Sequence, residues 1–269
     1  MMPEDRDEGD RALLRNAVKF TTFHRAFAAR QLLLPNLGDA PATVRRILAL
    51  EAFQQYMLTA EDTLTWICAI LEWEPHGAPD TSILAKLDTI QIGRSRSGDY
   101  SESTLLAKFD QLSVAEFRAG LKVPPDDQLH GRTDFPPSIE FPLDGPIGAW
   151  LAGLRRIVKG RLDQNRALVR AYNKAKHGLL GIFDTDLEGN PAVILLTAPN
   201  GYAAEPIKMN RTFVRALPID IERRVNWTVA IAAVLQSILA FILGVHFAEW
   251  IETPSWATDA LSLDAAWTP

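Results

Sequence analysis

The residues that could carry chemistry lie at the end of one basic stretch, residues 150–178. Asn173 and Lys174 precede His177 by four and three residues, so on a helix the three side chains can touch. Arg170 lies seven residues before His177, about two helical turns away on the same face. An imidazole can transfer a proton near neutral pH, and a guanidinium can stabilise a phosphate that gains charge. This combination predicts cleavage of RNA without a metal ion.

One helix over residues 150–178 is predicted to position these side chains. Its apolar residues recur at spacings of three and four, which is typical of a helix that buries one face. They are Leu151, Leu154, Val158, Leu162, Val169 and Tyr172. On a helical wheel the cations gather on the opposite side, with His177 among them. Gly178 then ends the helix as a C-cap glycine.

The residues of the basic face are assigned to two roles. The predicted catalytic residues are His177, Arg170 and Asn173. The predicted RNA- or anion-binding residues are Lys174, Lys159, Arg166 and Arg155. The alternative is a solvated helix face without chemistry, because charges on a helix often do no more than face water. The sequence leaves both interpretations open.

The seven residues 172–178, Tyr-Asn-Lys-Ala-Lys-His-Gly, resemble the motif of the HEPN superfamily. In that motif an arginine is separated by four to six residues from a histidine near a helix end. HEPN proteins are helical bundles among bacterial toxins, phage-defence proteins and CRISPR-associated ribonucleases. The resemblance implies a mainly α multi-helix bundle and a metal-independent endoribonuclease or defence-type effector. It also implies a homodimer in which the two copies complete one shared cleft, and no cofactor.

The sequence departs from the family pattern at one position. Tyr172 stands where an alignment on Asn-x-x-x-His-Gly places the arginine of the family. Arg170 meets the six-residue gap by spacing, although Ala171 follows it where the family usually has a polar residue. The departure keeps a second function open, which is a non-catalytic HEPN-like module that binds a protein or a nucleotide.

Composition favours one domain with a local basic site. The chain has 269 residues, of which 47% are hydrophobic, so it can bury a full core. Its formal net charge of −5 argues against a general nucleic-acid coat. We find no CxxC, HxxxH or HExxH pair and no glycine-rich phosphate loop, so neither a metal site nor a cofactor is predicted. The acidic first ten residues predict no secretory signal, and the cytoplasm is expected.

The rest of the chain reads as helices with two insertions. Helices are predicted at 11–34, with Asp10 as N-cap, and at 42–73. Together with the motif helix they belong to a domain spanning 10–251, followed by a tail at 252–269. Residues 75–146 form an irregular insertion with short helices at 81–90, 103–112 and 114–121, and an extended proline-rich loop from 124. A second insertion, 179–214, contains a small β-hairpin near 179–198, with strands at 179–183 and 192–197 and a third edge at 207–214.

The last long apolar segment, 227–245, carries no charge and could be placed in two ways. We favour a core helix enclosed by the helices at 11–34, 42–73 and 150–178, because those helices have apolar faces that need a partner. The segment is also long enough to cross a bilayer, with Arg223 and Arg224 before it and Glu249 after it. Membrane attachment through 227–248 is therefore the third functional hypothesis.

Overall fold

Helices dominate the computed structural model. It describes residues 3–21, 24, 40–90, 92, 100, 102–130, 132–136, 139, 141–162, 181–185, 191–197, 213–218 and 221–251. The helices are α1 Pro3–Asn16, α2 Ala42–Glu72, α3 Ile83–Thr89, α4 Glu102–Gln111, α5 Val114–Gly120, α6 Asp126–His130, α7 Asp144–Leu162 and α8 Ile221–Phe247. The strands are β1 Gly181–Thr185, β2 Pro191–Thr197 and β3 Phe213–Pro218. The coarse prediction of a mainly α-helical bundle is confirmed.

The core is built around α8, whose apolar residues occur on all sides of the helix. By length and composition alone, Glu222–Phe247 could cross a membrane, but 94% of its most apolar window is buried inside the protein. The helix contacts α1, α2 and α7, and with them the π-helical turn Ala17–Thr21 that follows α1. The predicted enclosure of residues 227–245 by other helices is therefore observed in the described part of the chain.

Helices α2 and α8 pack parallel to each other, with the start of α8 beside the middle of α2 and the two C-terminal ends together. The ring centroids of Tyr56 and Trp227 lie 5.5 Å apart near the start of α8. Near its end, the ring of Trp73 meets His246 edge-on at 4.9 Å. Two aromatic contacts therefore mark the two ends of the same helix pair.

Helix α7 approaches both long helices at glycines. A Cβ on Gly153 would lie 3.3 Å from a methyl group of Val234 in α8, and a Cβ on Gly160 would lie 2.8 Å from the hydroxyl of Tyr56 in α2. The buried residues between them include Leu154 and Val158, as the predicted apolar stripe requires. The helix begins at Asp144, not at 150, because a proline is tolerated in the first turn, where backbone N–H groups lack intrahelical partners.

The N-terminal prediction is wrong in one respect. Asp10 does not cap a helix, because α1 already starts at Pro3 and Asp10 lies inside it. Its buried carboxylate accepts hydrogen bonds from Trp73 Nε1 at 2.9 Å and from the backbone N–H of Ile83 at 3.0 Å. Asp10 thus joins α1 to the end of α2 and the start of α3. Apart from residue 24, the predicted continuation from 22 to 34 lies outside the described residues.

The insertion at 75–146 contains more helix than predicted. Helices α3, α4 and α5 occupy the three predicted short segments, and α5 begins with a capping box formed by Ser113 and Glu116. Helix α6 lies in the stretch predicted to be an extended loop. Its first turn carries two aspartates that favour a helix start, and its Leu129 is fully buried, so tertiary packing overrides the neighbouring prolines.

The three strands form one antiparallel sheet in the order β1-β2-β3. Phe183 pairs with Val193, and Leu195 pairs with Arg215. Strands β1 and β2 overlap the segments 179–183 and 192–197, and both lie against α2. Strand β3 starts at Phe213, six residues after the start of the predicted third edge at 207–214, whose residues 207–212 lie outside the described part.

Candidate functional site

The structure describes two of the seven predicted site residues. His177, Arg170, Asn173, Lys174 and Arg166 lie outside the described residues. Arg155 and Lys159 lie on α7, each about 100° around the helix from its buried neighbour, Leu154 or Val158. The structure therefore gives the geometry of Arg155 and Lys159 alone among the seven.

Arg155 is directed at the end of α4. Its Nε donates a hydrogen bond to the backbone carbonyl of Phe109 at 2.8 Å, and an Nη donates to that of Leu112 at 2.9 Å. The last carbonyls of a helix lack intrahelical partners, and a cation is a favourable one. Arg155 therefore holds the end of α4 on α7. Its neighbour Lys159 lies 3.8 Å from a carboxylate oxygen of Asp110 and keeps more than half of its side chain exposed.

A second set of cations and aromatic rings lies where α2, α7 and α8 meet; we call it the cation–aromatic cluster, formed by Tyr56, Arg223, Arg224 and Trp227. The Arg224 guanidinium carbon is 4.8 Å from the centroid of Tyr56 and 5.1 Å from that of Trp227. The Arg223 guanidinium carbon lies 4.8 Å from the Trp227 centroid. Guanidinium groups at such distances are attracted by the ring faces.

Gly160 places this cluster directly beside α7. The position of a Cβ on Gly160 would be 2.8 Å from the Tyr56 hydroxyl and 3.9 Å from the Trp227 ring. The helix predicted to carry the HEPN-like motif thus passes over Tyr56 and Trp227 ten residues before Arg170.

In the sequence, Arg223 and Arg224 stand out only as flanks of an apolar segment. The signal that could have found the cluster is the spacing Arg-Arg-x-x-Trp, which brings both arginines within one turn of the tryptophan on a helix. Tyr56 could not have been found in this way, because it belongs to a distant helix.

Perturbed titratable groups lie at the opposite end of α8. The pKa of the His246 imidazole is lowered to about 4, chiefly by burial. A hydrogen bond to the Leu121 carbonyl opposes this shift, and the nearby charges of His76, Arg132 and Lys122 contribute to it. The pKa of Glu249 is lowered to about 2, chiefly by its hydrogen bond with Arg15. These groups tie chain segments together.

Two further features of the described residues bear on ligands. No three His, Cys, Asp or Glu side chains in this part of the chain lie close enough to hold a metal ion. A shallow cavity of about 410 Å³ lies between α4 and α5, and its lining contains only short or flexible side chains. They are Thr104, Ala107, Lys108, Gln111, Leu112 and Glu116.

Comparison with protein-family models, with curated proteins and with solved structures finds no match to this chain.

Proposed function

We propose that the protein is a HEPN-like, metal-independent endoribonuclease of the defence or toxin type that cleaves single-stranded RNA. In this proposal His177 transfers the proton, Arg170 stabilises the phosphate as it gains charge, and Asn173 orients the substrate. Lys159, Arg166 and Lys174 contribute to RNA binding along the same helix.

The observation that carries the proposal is the cation–aromatic cluster beside α7. Single-stranded RNA is bound by cations that contact phosphates and by flat groups on which bases stack. Arg223 and Trp227 supply both, and the Trp227 ring lies next to Gly160 of the helix whose sequence continues to His177. A basic helix face and an adjacent stacking group are what an RNA-cleaving site of this kind requires.

The position of His177 in the sequence supports its role in proton transfer. In the predicted helix it lies in the last turn, where the negative end of the dipole favours the protonated imidazole. The nearer cations Arg170 and Lys174 favour the neutral form. The two effects oppose each other, which keeps the imidazole able to exchange a proton near neutral pH.

A series of three variants tests the proposal in buffer containing EDTA, with a fluorescent single-stranded RNA as substrate. We expect His177→Ala to lower the cleavage rate by about 100-fold or more. Arg170→Ala should lower the cleavage rate less than His177→Ala does, because Arg170 only stabilises charge. Arg156→Ala is the matched control, an exposed arginine on α7 outside the predicted set, and should cost least. Circular dichroism must show that all three retain their helices.

A non-catalytic binding module is the second candidate, and one observation favours it. The Arg155 guanidinium, predicted to bind an anion, is directed at the carbonyls of α4 and so has a structural role. With Tyr172 at the position of the family's arginine, the motif helix could serve only for binding. Intact RNA after incubation with the wild-type protein would decide for this candidate, whereas equal cleavage by all three variants would show that the basic face is a solvated face without a catalytic role.

The proposal also includes a cytoplasmic homodimer with α8 as a core helix. The basic faces of two copies repel at close range, so we expect them to flank a groove that holds the RNA. Light scattering at high protein concentration should give the mass of a dimer, and a clean monomer would count against the shared cleft. Membrane attachment through 227–248 would instead move all of the protein into the detergent phase on extraction.

A further inference from the structure

We propose that Arg223 and Trp227 form a nucleotide subsite. The Trp227 ring and the Arg223 guanidinium that lies over it stack on a base, and the same arginine contacts the adjoining phosphate. The inference takes its ligand class, single-stranded RNA, from the proposed function. It adds a second binding place, on α8 and not on the basic helix.

The cluster is layered from the inside of the protein outward. Tyr56 is 1% exposed and Arg224 is 7% exposed, and the inner cation lies against both rings, Tyr56 and Trp227, whose centroids are 5.5 Å apart. Trp227 and Arg223 are only partly buried and form the outer layer. The inner pair fixes the orientation of the Trp227 ring before a ligand arrives, and such preorganisation lowers the entropic cost of binding.

The composition of the cluster matches single-stranded RNA better than an acidic peptide. Aromatic rings stabilise a guanidinium without cancelling its charge, so the attraction for a phosphate remains. An acidic peptide would need only the cation, whereas a nucleotide uses the cation and the flat ring together. The Arg223 guanidinium carbon lies 4.8 Å from the Trp227 ring centroid, so this cation and this flat ring are found in one place.

The test measures binding in the full-length protein with cleavage removed by His177→Ala. Fluorescence anisotropy of a labelled 12-nucleotide single-stranded RNA gives the Kd over a series of salt concentrations. Arg223→Gln should raise the Kd and reduce the slope of log K against log salt by about 0.7, the value for one lost phosphate contact on a single strand. Trp227→Leu should raise the Kd by about tenfold and leave this slope unchanged, because stacking does not release counterions.

Two controls separate these effects from a change in folding or in net charge. Trp227→Phe keeps a ring and should restore most of the affinity lost in Trp227→Leu. Arg45→Gln removes an exposed arginine about three turns of α2 from Tyr56 and should leave the slope within error of the parent.

The subsite and the proposed function fail in different ways. RNA binding that depends on Arg223 and Trp227 in a protein that does not cleave RNA would support the subsite and reject the ribonuclease. Cleavage by the wild type, together with parental Kd and slope in both cluster variants, would overturn the subsite alone. Binding that needs Arg223 but tolerates Trp227→Leu, and that a polyglutamate peptide competes away, would assign the cluster to an acidic peptide and also overturn it. A protein that binds no RNA contradicts both.

Discussion

The two ends of α8 are stabilised in different ways. At its C-terminal end, Glu249 accepts hydrogen bonds from Arg15 at 2.5 and 2.6 Å and from Arg11 at 2.9 Å. An Nη of Arg132 donates to the Val245 carbonyl at 2.7 Å. At the N-terminal end, the first turn carries Arg223 and Arg224, which lie against aromatic rings.

The carboxylate of Glu249 at one end and the two arginines at the other oppose the helix dipole, which favours acids at the N-terminus and cations at the C-terminus. At the C-terminal end, the unfavourable carboxylate of Glu249 is neutralised by two arginines of α1. At the N-terminal end, the rings of Tyr56 and Trp227 attract the arginines and leave their charge in place. The C-terminal end therefore ties α8 to α1 by ion pairs, whereas the N-terminal end carries the arginines and rings of the proposed nucleotide subsite.

The largest expected effect of a substitution is at the stabilising end. Asp10→Ala removes the acceptor for Trp73 Nε1 and for the Ile83 N–H, so two buried donors lose their partner. We expect the free energy of unfolding to fall by about 3 kcal/mol. Urea unfolding followed by circular dichroism measures it. Asp7→Ala is the control in the same helix, because it removes only an exposed contact between Asp7 and His76. It should lower the free energy of unfolding by less than about 1 kcal/mol. Equal losses in the two variants would show that Asp10 does not tie the helices together.

The next effect is a loss of stability on acidification through the His246 imidazole. Its folded pKa is about 4, below its usual value of 6.5, so between these values the unfolded chain binds more protons. Stability should be fully present above about pH 6.5 and should fall by on the order of 2–3 kcal/mol as the pH drops to 4. His246→Phe should flatten the profile in this window, and an unchanged profile would exclude His246 as the cause.

Glu249 should cause a second loss of stability on acidification, over a lower pH range. Its folded pKa is about 2 against a usual value of 4.5, so its contribution is present above pH 4.5 and is lost as the pH falls toward 2. Glu249→Gln should reduce stability at pH 7 and remove the additional loss below pH 4.5. Arg223→Gln, at the other end of α8, should leave both windows unchanged. If Arg223→Gln altered the acid profile as Glu249→Gln does, the proposed difference between the two ends would be wrong.

A smaller effect is expected where α7 crosses α2. In Gly160→Ala the new Cβ would lie 2.8 Å from the Tyr56 hydroxyl, so the ring must move and the support of Arg224 is disturbed. We expect a loss of about 1–2 kcal/mol in stability and weaker RNA binding. Gly145→Ala is the matched control in the first turn of the same helix, where nothing lies within 4 Å of the added methyl group. It should leave stability unchanged or raise it slightly, and a Gly160→Ala protein that behaved like this control would contradict the tight crossing.

Much of the helical core was predictable from the sequence because the relevant pattern is local. The uncharged segment 227–245 predicts a helix that is apolar all round, and the spacing of Leu151, Leu154 and Val158 predicts one buried face. The start of α1 and the helix α6 were missed, because Asp10 has the residue type of an N-cap and because the prolines at 124–146 mask a short helix anchored by Leu129.

The contacts of the candidate site were less predictable because they join distant elements. Arg155 looks like a free cation on a basic face until α4 is packed against α7 and presents its last carbonyls. The cation–aromatic cluster needs Tyr56 of α2 to meet Trp227 of α8, a contact that no local spacing reveals. The roles of His177, Arg170 and Asn173 stay predictions.

The most direct test of the difference between the two ends is ultraviolet cross-linking of single-stranded RNA to the full-length protein, with the linked peptides identified by mass spectrometry. The protein carries His177→Ala so that the RNA stays intact. We predict cross-links in the peptide that contains Arg223 and Trp227 and in the peptide that contains Arg170 and His177, and none in the peptide that contains residues 246–250. Cross-links concentrated at residues 246–250, or a peptide with Trp227 that stays unlinked while RNA is bound, would contradict the assignment of RNA binding to the N-terminal end of α8.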